Sequence, residues 1–139
     1  MTKENDSSEI LTSTIHVASY ELDSFGHVNN ATFLNYLEKA RGDFLQARGL
    51  SFHDFFKWNR FPVVIRVRAD YKFPARAEDS LLVKGWITAS SPISFTLTYE
   101  ITNQDDRLVL SGETVHVFVD GKTNRPSRVP SEFKEKFLA

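Results

Sequence analysis

The sequence predicts an α+β fold in which a five-stranded antiparallel sheet wraps around one long helix. Two observations predict this arrangement. Apolar residues first recur with the 3.6-residue period of a helix and then, beyond Phe61, with the two-residue period of strands. The strand-like segments follow one another through short turns, which is typical of antiparallel sheets. Because the sheet and the helix each have one apolar face, we expect the two faces to pack together.

The single long helix is predicted immediately after Asn29 and Asn30. Either asparagine can cap it, because the side chain of Asn accepts a hydrogen bond from a free N–H of the first turn. Gly49 provides a stop signal, which gives a helix of about 18 residues. Its apolar stripe consists of Phe33, Leu37, Ala40 and Phe44.

Five segments have the composition or the alternation of strands. They lie at residues 11–20, 61–73, 81–89, 93–102 and 108–119. The long segment 61–73 is predicted to be half-buried, with Val63, Ile65 and Val67 on its buried face. An aromatic-rich segment at 52–58 connects the helix to this strand, and residues 131–138 are predicted to form a terminal helix.

Length and composition limit the classes of protein to be considered. A chain of 139 residues fits one domain, and we expect residues 1–9 to be frayed and 10–139 to form that domain. The net charge of −1 argues against nucleic acid as a partner. The absence of cysteine excludes disulfides and a Cys nucleophile. No segment reads as a secretory signal or as a membrane span of ~20 apolar residues, so a cytoplasmic protein without membrane insertion is expected.

The most informative segment is the loop Asp23-Ser-Phe-Gly-His-Val-Asn-Asn30, which leads into the helix. Asp23 is either a turn former or a nucleophile or general base. The helix N-terminus beside it favours developing negative charge and can act as an oxyanion hole. His27 either assists the carboxylate or holds the loop through the backbone, and the sequence leaves both readings open. Four scattered histidines predict no metal site.

This loop, followed by the helical segment 31–41 and the ending Phe118-Val-Asp120, resembles the hotdog-fold thioesterases of the 4-hydroxybenzoyl-CoA thioesterase type. The resemblance covers roughly residues 12–130. It implies hydrolysis of acyl-CoA thioesters without a cofactor, on the hotdog fold. It also implies a homodimer or a dimer of dimers, with active sites at the subunit interface.

The resemblance also implies roles for individual residues. Asp23 matches the catalytic carboxylate, Gly26 the glycine that turns the loop, and Asn30 a position near the thioester. Asp23, His27 and Asn30 form the expected catalytic group. The expected substrate-binding residues are Gly26, Val28, Phe33, Arg68 and Arg125, of which the two arginines are candidates to hold the CoA phosphates. Plant acyl carrier protein thioesterases resemble this loop but carry Asn where this chain has Phe25, so a mechanism that needs that Asn is not expected here.

Two other functions compete with thioester hydrolysis. A hotdog hydratase or dehydratase shares the fold, but those enzymes usually carry Asn-Pro between their Asp and His, which the segment between Asp23 and His27 lacks. A non-catalytic acyl-CoA-binding protein is the other alternative, since a fold does not determine a function. The twelve phenylalanines favour an apolar acyl group over a polar acid. The acyl group itself, and CoA or acyl carrier protein as its carrier, are left open.

Overall fold

A computed structural model describes residues 3–4 and 9–138 of the chain. Its strands are β1 Lys3–Glu4, β2 Leu11–His16, β3 Arg60–Tyr71, β4 Ser80–Ser90, β5 Ser94–Thr102 and β6 Leu108–Asp120. Its helices are α1 Asn30–Ala47, α2 Phe52–Trp58 and α3 Ser131–Phe133, the last continuing as a π-helical turn Lys134–Leu138. A 3-10 turn, Ser19–Glu21, lies between β2 and α1.

All strands form one antiparallel sheet. Its central order is β4-β5-β6-β3, and both β1 and β2 pair with β4 on its other side. The predicted antiparallel sheet around a central helix is therefore confirmed, with the short β1 as a sixth strand. The frayed segment predicted for residues 1–9 falls partly outside the described residues; within it, the backbone of Lys3–Glu4 pairs with Ser90 and Ala89.

Helix α1 follows the sequence prediction closely. The cap is Asn29, whose Oδ1 accepts a hydrogen bond from Ala31 N at 2.9 Å. The chain leaves the helix through Gly49 at a φ of 73°, in the left-handed region that favours glycine. The helix buries the four predicted stripe residues together with Tyr36 and Leu45.

The core lies between α1 and the concave face of the sheet. Alternate residues of the central strands point into it, as the two-residue period requires. They are Leu81, Val83 and Ile87 on β4, Phe95, Leu97, Tyr99 and Ile101 on β5, and Thr114, His116 and Phe118 on β6. The strands predicted at residues 81–89 and 93–102 are therefore confirmed as β4 and β5.

Two local predictions are wrong. Strand β2 ends at His16, because the chain then turns and Ala18 N donates a hydrogen bond to Glu21 Oε1 at 2.8 Å. Strand β3 is exposed along most of its length, and Ile65 retains 61% of its accessible surface. The reason is its place at the sheet edge, since α1 packs mainly against β2 and β4 on the other side. A register shift between Val64 and Arg66 also interrupts the alternation.

Candidate active site

The loop before α1 is closed by its own aspartate. Asp23 Oδ1 accepts hydrogen bonds from the backbone N–H groups of Phe25 at 2.8 Å and His27 at 3.2 Å. Asp23 N in turn donates to the carbonyl oxygen of His27 at 2.7 Å. Gly26 completes the turn at a φ of +78°, which a residue with a Cβ rarely adopts. The carboxylate therefore shapes the loop, and its second oxygen, Oδ2, makes no hydrogen bond with the described residues.

The loop is fastened to the rest of the fold at its far end. Val28 N donates to the carbonyl oxygen of Ala75 at 2.8 Å, and the Val28 side chain is buried. Asn29 N donates to the carbonyl oxygen of Glu21 at 3.1 Å. The Glu21 carboxylate accepts a hydrogen bond from the buried Tyr36 hydroxyl at 2.8 Å, so the turn before the loop is held on α1. These bonds fix where Asp23 lies relative to the start of the helix.

A cleft of about 250 Å³ opens beside this loop, at the N-terminus of α1. It brings together five of the residues predicted to form the site: Asp23, His27, Val28, Asn30 and Phe33. The end of β3 and the connection to β4 supply the remaining lining residues, Tyr71, Lys72, Phe73, Pro74 and Ala75. Residues distant in sequence thus meet at one end of the central helix.

The cleft combines a free carboxylate oxygen with groups that favour negative charge. The N-terminus of an 18-residue helix carries partial positive charge, and Asn30 is the first residue of that helix. Lys72 adds a full positive charge to the lining. Tyr71 lies across the helix start, with its hydroxyl donating to the carbonyl oxygen of Asn30 at 3.0 Å and its ring 5.5 Å from that of Phe33. This arrangement can hold a polarised carbonyl group next to Asp23.

Three predicted site residues lie outside the lining of the cleft. Gly26 belongs to the loop but does not line the cleft. Arg68 forms ion pairs with Asp70 and, at 3.8 Å, with Glu113 on the outer face of the sheet. Arg125 is exposed in the segment after β6, where its N–H donates to Thr123 Oγ1. Lys72 is the cation that the fold places in the cleft.

A second, larger cavity was not predicted from the sequence. It measures about 330 Å³ and lies between the second half of α1, α2, the start of β3 and the C-terminal helix. Phe55 lines it, whereas Phe44 is buried in the core and Phe56 is exposed. One feature of the sequence could have indicated this cavity. Thr114 and His116 are polar, yet they occupy inward positions of an alternating strand.

A chain of hydrogen bonds runs through the wall of this cavity. Arg41 Nη1 donates to the Tyr99 hydroxyl at 3.3 Å, and that hydroxyl lies 2.7 Å from Thr114 Oγ1. Thr114 Oγ1 is 2.8 Å from His116 Nε2. Burial, together with the positive charge of Arg41, lowers the pKa of His116 to about 3, so the imidazole is neutral. Its ring stacks on Phe95 with the centroids 4.6 Å apart.

Across residues 9–138, no three histidine or acidic side chains come together as metal ligands. Within the same part of the chain, no helix has both the length and the apolar composition to cross a bilayer.

Comparison with known proteins identifies the fold and the family of this chain. The model of the thioesterase-like superfamily matches residues 17–137. The chain resembles the crystal structure of Slr0204, a 1,4-dihydroxy-2-naphthoyl-CoA thioesterase from Synechocystis, with a TM-score of 0.86 over 94% of this chain and 96% of that one. At 23% identity this likeness establishes the fold alone. The hotdog fold expected from the loop and helix is therefore confirmed.

Two relatives are similar in sequence. The long-chain acyl-CoA thioesterase FadM of Escherichia coli is 32% identical over 88% of this chain and 92% of its own length. The chloroplastic acyl-acyl carrier protein thioesterase ATL3 of Arabidopsis thaliana is 31% identical over 89% of this chain, which spans 65% of that longer protein. Because the family model matches most of this chain and FadM is 32% identical to it, the chain belongs to the thioesterase-like superfamily.

Proposed function

We propose that this protein hydrolyses acyl-CoA thioesters to the free acid and CoA, in the cleft at the N-terminus of α1. The observation that carries the proposal is the position of Asp23, a carboxylate with one free oxygen beside the start of the central helix. The names of the relatives, which are thioesterases acting on CoA and on acyl carrier protein substrates, support the same reaction class.

Asp23 acts in one of two ways in this proposal. As a nucleophile, Oδ2 attacks the carbonyl carbon, the C–S bond breaks to release the thiolate, and water then hydrolyses the mixed anhydride. As a general base, Asp23 takes a proton from a water that attacks the same carbon. In both cases Oδ1 stays bonded to the loop N–H groups and keeps the carboxylate oriented. His27 lines the cleft, and in this proposal it supplies a proton to the departing sulfur.

The helix N-terminus stabilises the negative charge that forms on the carbonyl oxygen. The helix dipole favours an anion there without any reorganisation during the reaction. Asn30 N is the candidate donor, because Ala31 N donates to Asn29 Oδ1 and Thr32 N donates to the carbonyl oxygen of Asn29. Tyr71 holds Asn30 through its carbonyl oxygen. Lys72 adds positive charge at the same cleft and is our candidate to meet the phosphates of CoA, ahead of Arg68 and Arg125.

The proposed functional unit is a homodimer built on strand β3. An edge strand presents unpaired backbone groups, and β3 also exposes the apolar side chains of Val63, Ile65 and Val67. Antiparallel pairing of β3 with a second copy would cover this surface by a two-fold symmetric contact. Because Tyr71 ends β3 and also lines the cleft, such a dimer has its active sites at the interface.

Asp23→Asn is the decisive variant. Its amide oxygen can still accept the two loop N–H bonds, whereas the carboxylate is gone. We expect the rate of thiol release from a panel of acyl-CoAs, followed with a thiol-reactive dye, to fall about 10²–10⁴-fold with little change in thermal stability. Asp23→Ala removes both roles and should also lower stability. Asp105→Asn, an exposed hairpin position, is the matched control.

The competing reading is a protein that binds acyl-CoA without hydrolysing it. Binding by calorimetry without thiol release from any acyl-CoA or acyl carrier protein thioester would favour that reading. Equal activity of the parent and of Asp23→Asn would show that Asp23 only closes the loop. Comparing one acyl group on the two carriers identifies the preferred carrier.

A further inference from the structure

The cavity beside the second half of α1 has the walls of a site for an apolar group. Six of the twelve phenylalanines line it, namely Phe52, Phe55, Phe61, Phe95, Phe133 and Phe137. Its volume of about 330 Å³ falls at the lower end of the range for small-molecule pockets. A cavity of this size that is lined by aromatic rings can accommodate several methylene groups of an acyl chain.

One wall of this cavity is polar and carries opposite charges. Glu38 and Arg41 both line it, three residues apart on one face of α1. Among the ion pairs of the described residues, none joins these two side chains. Arg41 donates one hydrogen bond to the Tyr99 hydroxyl, which holds its guanidinium in place and leaves other N–H donors. Glu38 offers acceptor oxygens only.

A hydroxyl group is the chemical partner of such a pair. Its oxygen accepts a hydrogen bond from Arg41 while its O–H donates to Glu38. A neutral group fits better than an ion, because the two charges of the wall cancel and the neighbouring imidazole of His116 is neutral. A plain alkyl chain would displace water from both charged groups without replacing its hydrogen bonds.

The cavity and the cleft lie along the same helix. Asn30 and Glu38 are eight residues apart, which corresponds to about 12 Å of helix rise. Leu34, exposed and midway between them, continues the same stripe. An extended chain gains about 3.6 Å for every three bonds, so roughly ten bonds separate a thioester at the helix N-terminus from a group at Glu38.

We propose that this cavity is the distal acyl subsite of the enzyme and that it selects acyl chains bearing a hydroxyl group about ten bonds from the thioester. The inference rests on the proposed function for the position of the thioester. Arg41 and Glu38 are its specificity-determining residues. Tyr99 positions Arg41 from within the core.

The test compares three thioesters of one chain length: dodecanoyl-CoA, 3-hydroxydodecanoyl-CoA and 10-hydroxydodecanoyl-CoA. We expect kcat/KM for the 10-hydroxy compound to exceed that of the other two at least fivefold, since a site built to bind a hydroxyl discriminates against analogues that lack it. In Arg41→Met and in Glu38→Gln, the preference should fall to within about twofold. Arg76→Met, at an exposed position that lines neither cavity, should retain it.

The outcomes separate this inference from the proposed function. Hydrolysis of all three thioesters without a distal preference, or a preference that both variants retain, would overturn the inference alone. If no thioester is hydrolysed, the proposed function is wrong, and calorimetry with the corresponding non-hydrolysable thioethers still measures the hydroxyl preference as a ratio of Kd values. Because loss of the Arg41–Tyr99 bond could destabilise the fold, Glu38→Gln on the exposed side of the helix provides the independent variant, and melting curves are recorded for each protein.

Discussion

The hydroxyl of Tyr71 donates a hydrogen bond to the carbonyl oxygen of Asn30 at 3.0 Å, and so ties the end of the edge strand to the first residue of the central helix. The ring of Tyr71 also contacts Phe33 one turn further along the helix. This bond joins the strand proposed to form the dimer with the helix terminus proposed to stabilise the oxyanion. Tyr71 is therefore placed to position that terminus rather than to react.

Tyr71→Phe should lower kcat and leave KM nearly unchanged. The substitution keeps the ring but removes a hydrogen bond worth about 0.5–1.5 kcal/mol, which corresponds to a roughly two- to tenfold effect if the bond aligns the helix terminus in the transition state. Steady-state kinetics with one acyl-CoA measures both constants. Tyr20→Phe, which removes the hydroxyl of a tyrosine that is 88% exposed, is the control. An unchanged kcat would mean that Tyr71 contributes only packing.

Gly85→Ala should destabilise the protein by about 1–3 kcal/mol, the usual effect of overpacking a core. Gly85 lies in the middle of β4, where a Cβ would overlap the ring of Phe44 from α1. Phe44 is fully buried and cannot move aside without disturbing Tyr99, on which it stacks. Urea unfolding of the two proteins measures the difference. Gly49→Ala, where the added methyl meets open space, tests instead the smaller strain of a positive φ.

Helix α1 and the loop before it could be predicted because their signals are local. The spacing of Phe33, Leu37 and Phe44 fixes the buried stripe of the helix, and Asn29 and Gly49 mark its two ends within a few residues. The same holds for the loop, since an aspartate that closes a turn over a glycine is a short-range feature. The position of Asp23 beside the helix N-terminus then follows from chain connectivity alone.

What escaped prediction depends on contacts between distant parts of the chain. The alternation in β3 indicates an apolar face, but only the sheet order reveals that Ile65 lies on an edge that α1 does not cover. The cavity near Arg41 forms where α1, β6 and the C-terminal helix come together, and no short sequence motif indicates that these elements are neighbours. The place of Arg68 on the outer face, away from the cleft, depends in the same way on its pairing with Glu113 across strands.

Ile65→Arg should convert the proposed dimer into a monomer. Ile65 lies at the bulge in the middle of β3. A two-fold axis between the midpoints of the two paired strands would bring the two arginines of a variant dimer close together, and their like charges would repel each other in an apolar contact. Sedimentation should then give the mass of one 15.9 kDa chain in place of two. Asp105→Arg, in an exposed turn, should leave the mass unchanged. A dimeric Ile65→Arg protein would exclude this interface.

The buried His116 gives the free energy of unfolding a specific dependence on pH. Its folded pKa of about 3 lies below the ordinary value of 6.5, chiefly because burial disfavours the imidazolium and also because Arg41 is close. The unfolded chain therefore binds a proton at this residue between pH 6.5 and 3, whereas the folded chain does not. Stability that is fully present above pH 6.5 is lost as the pH falls through this interval.

His116→Gln should flatten this part of the pH profile. Between pH 7 and 4.5 the parent should lose up to about 2–3 kcal/mol of unfolding free energy through this group, since each unit of pKa difference corresponds to about 1.4 kcal/mol. Glutamine can retain the hydrogen bond to Thr114 but does not titrate. The variant should be less stable than the parent at pH 7, because it lacks the ring that stacks on Phe95. It should, however, lose less unfolding free energy than the parent when the pH is lowered. Urea unfolding at the two pH values measures the slope, and His53→Gln, at an exposed position on α2, should keep the parental slope. Equal slopes for the parent and His116→Gln would mean that the imidazole becomes protonated within the folded protein, and that the cavity beside it admits water.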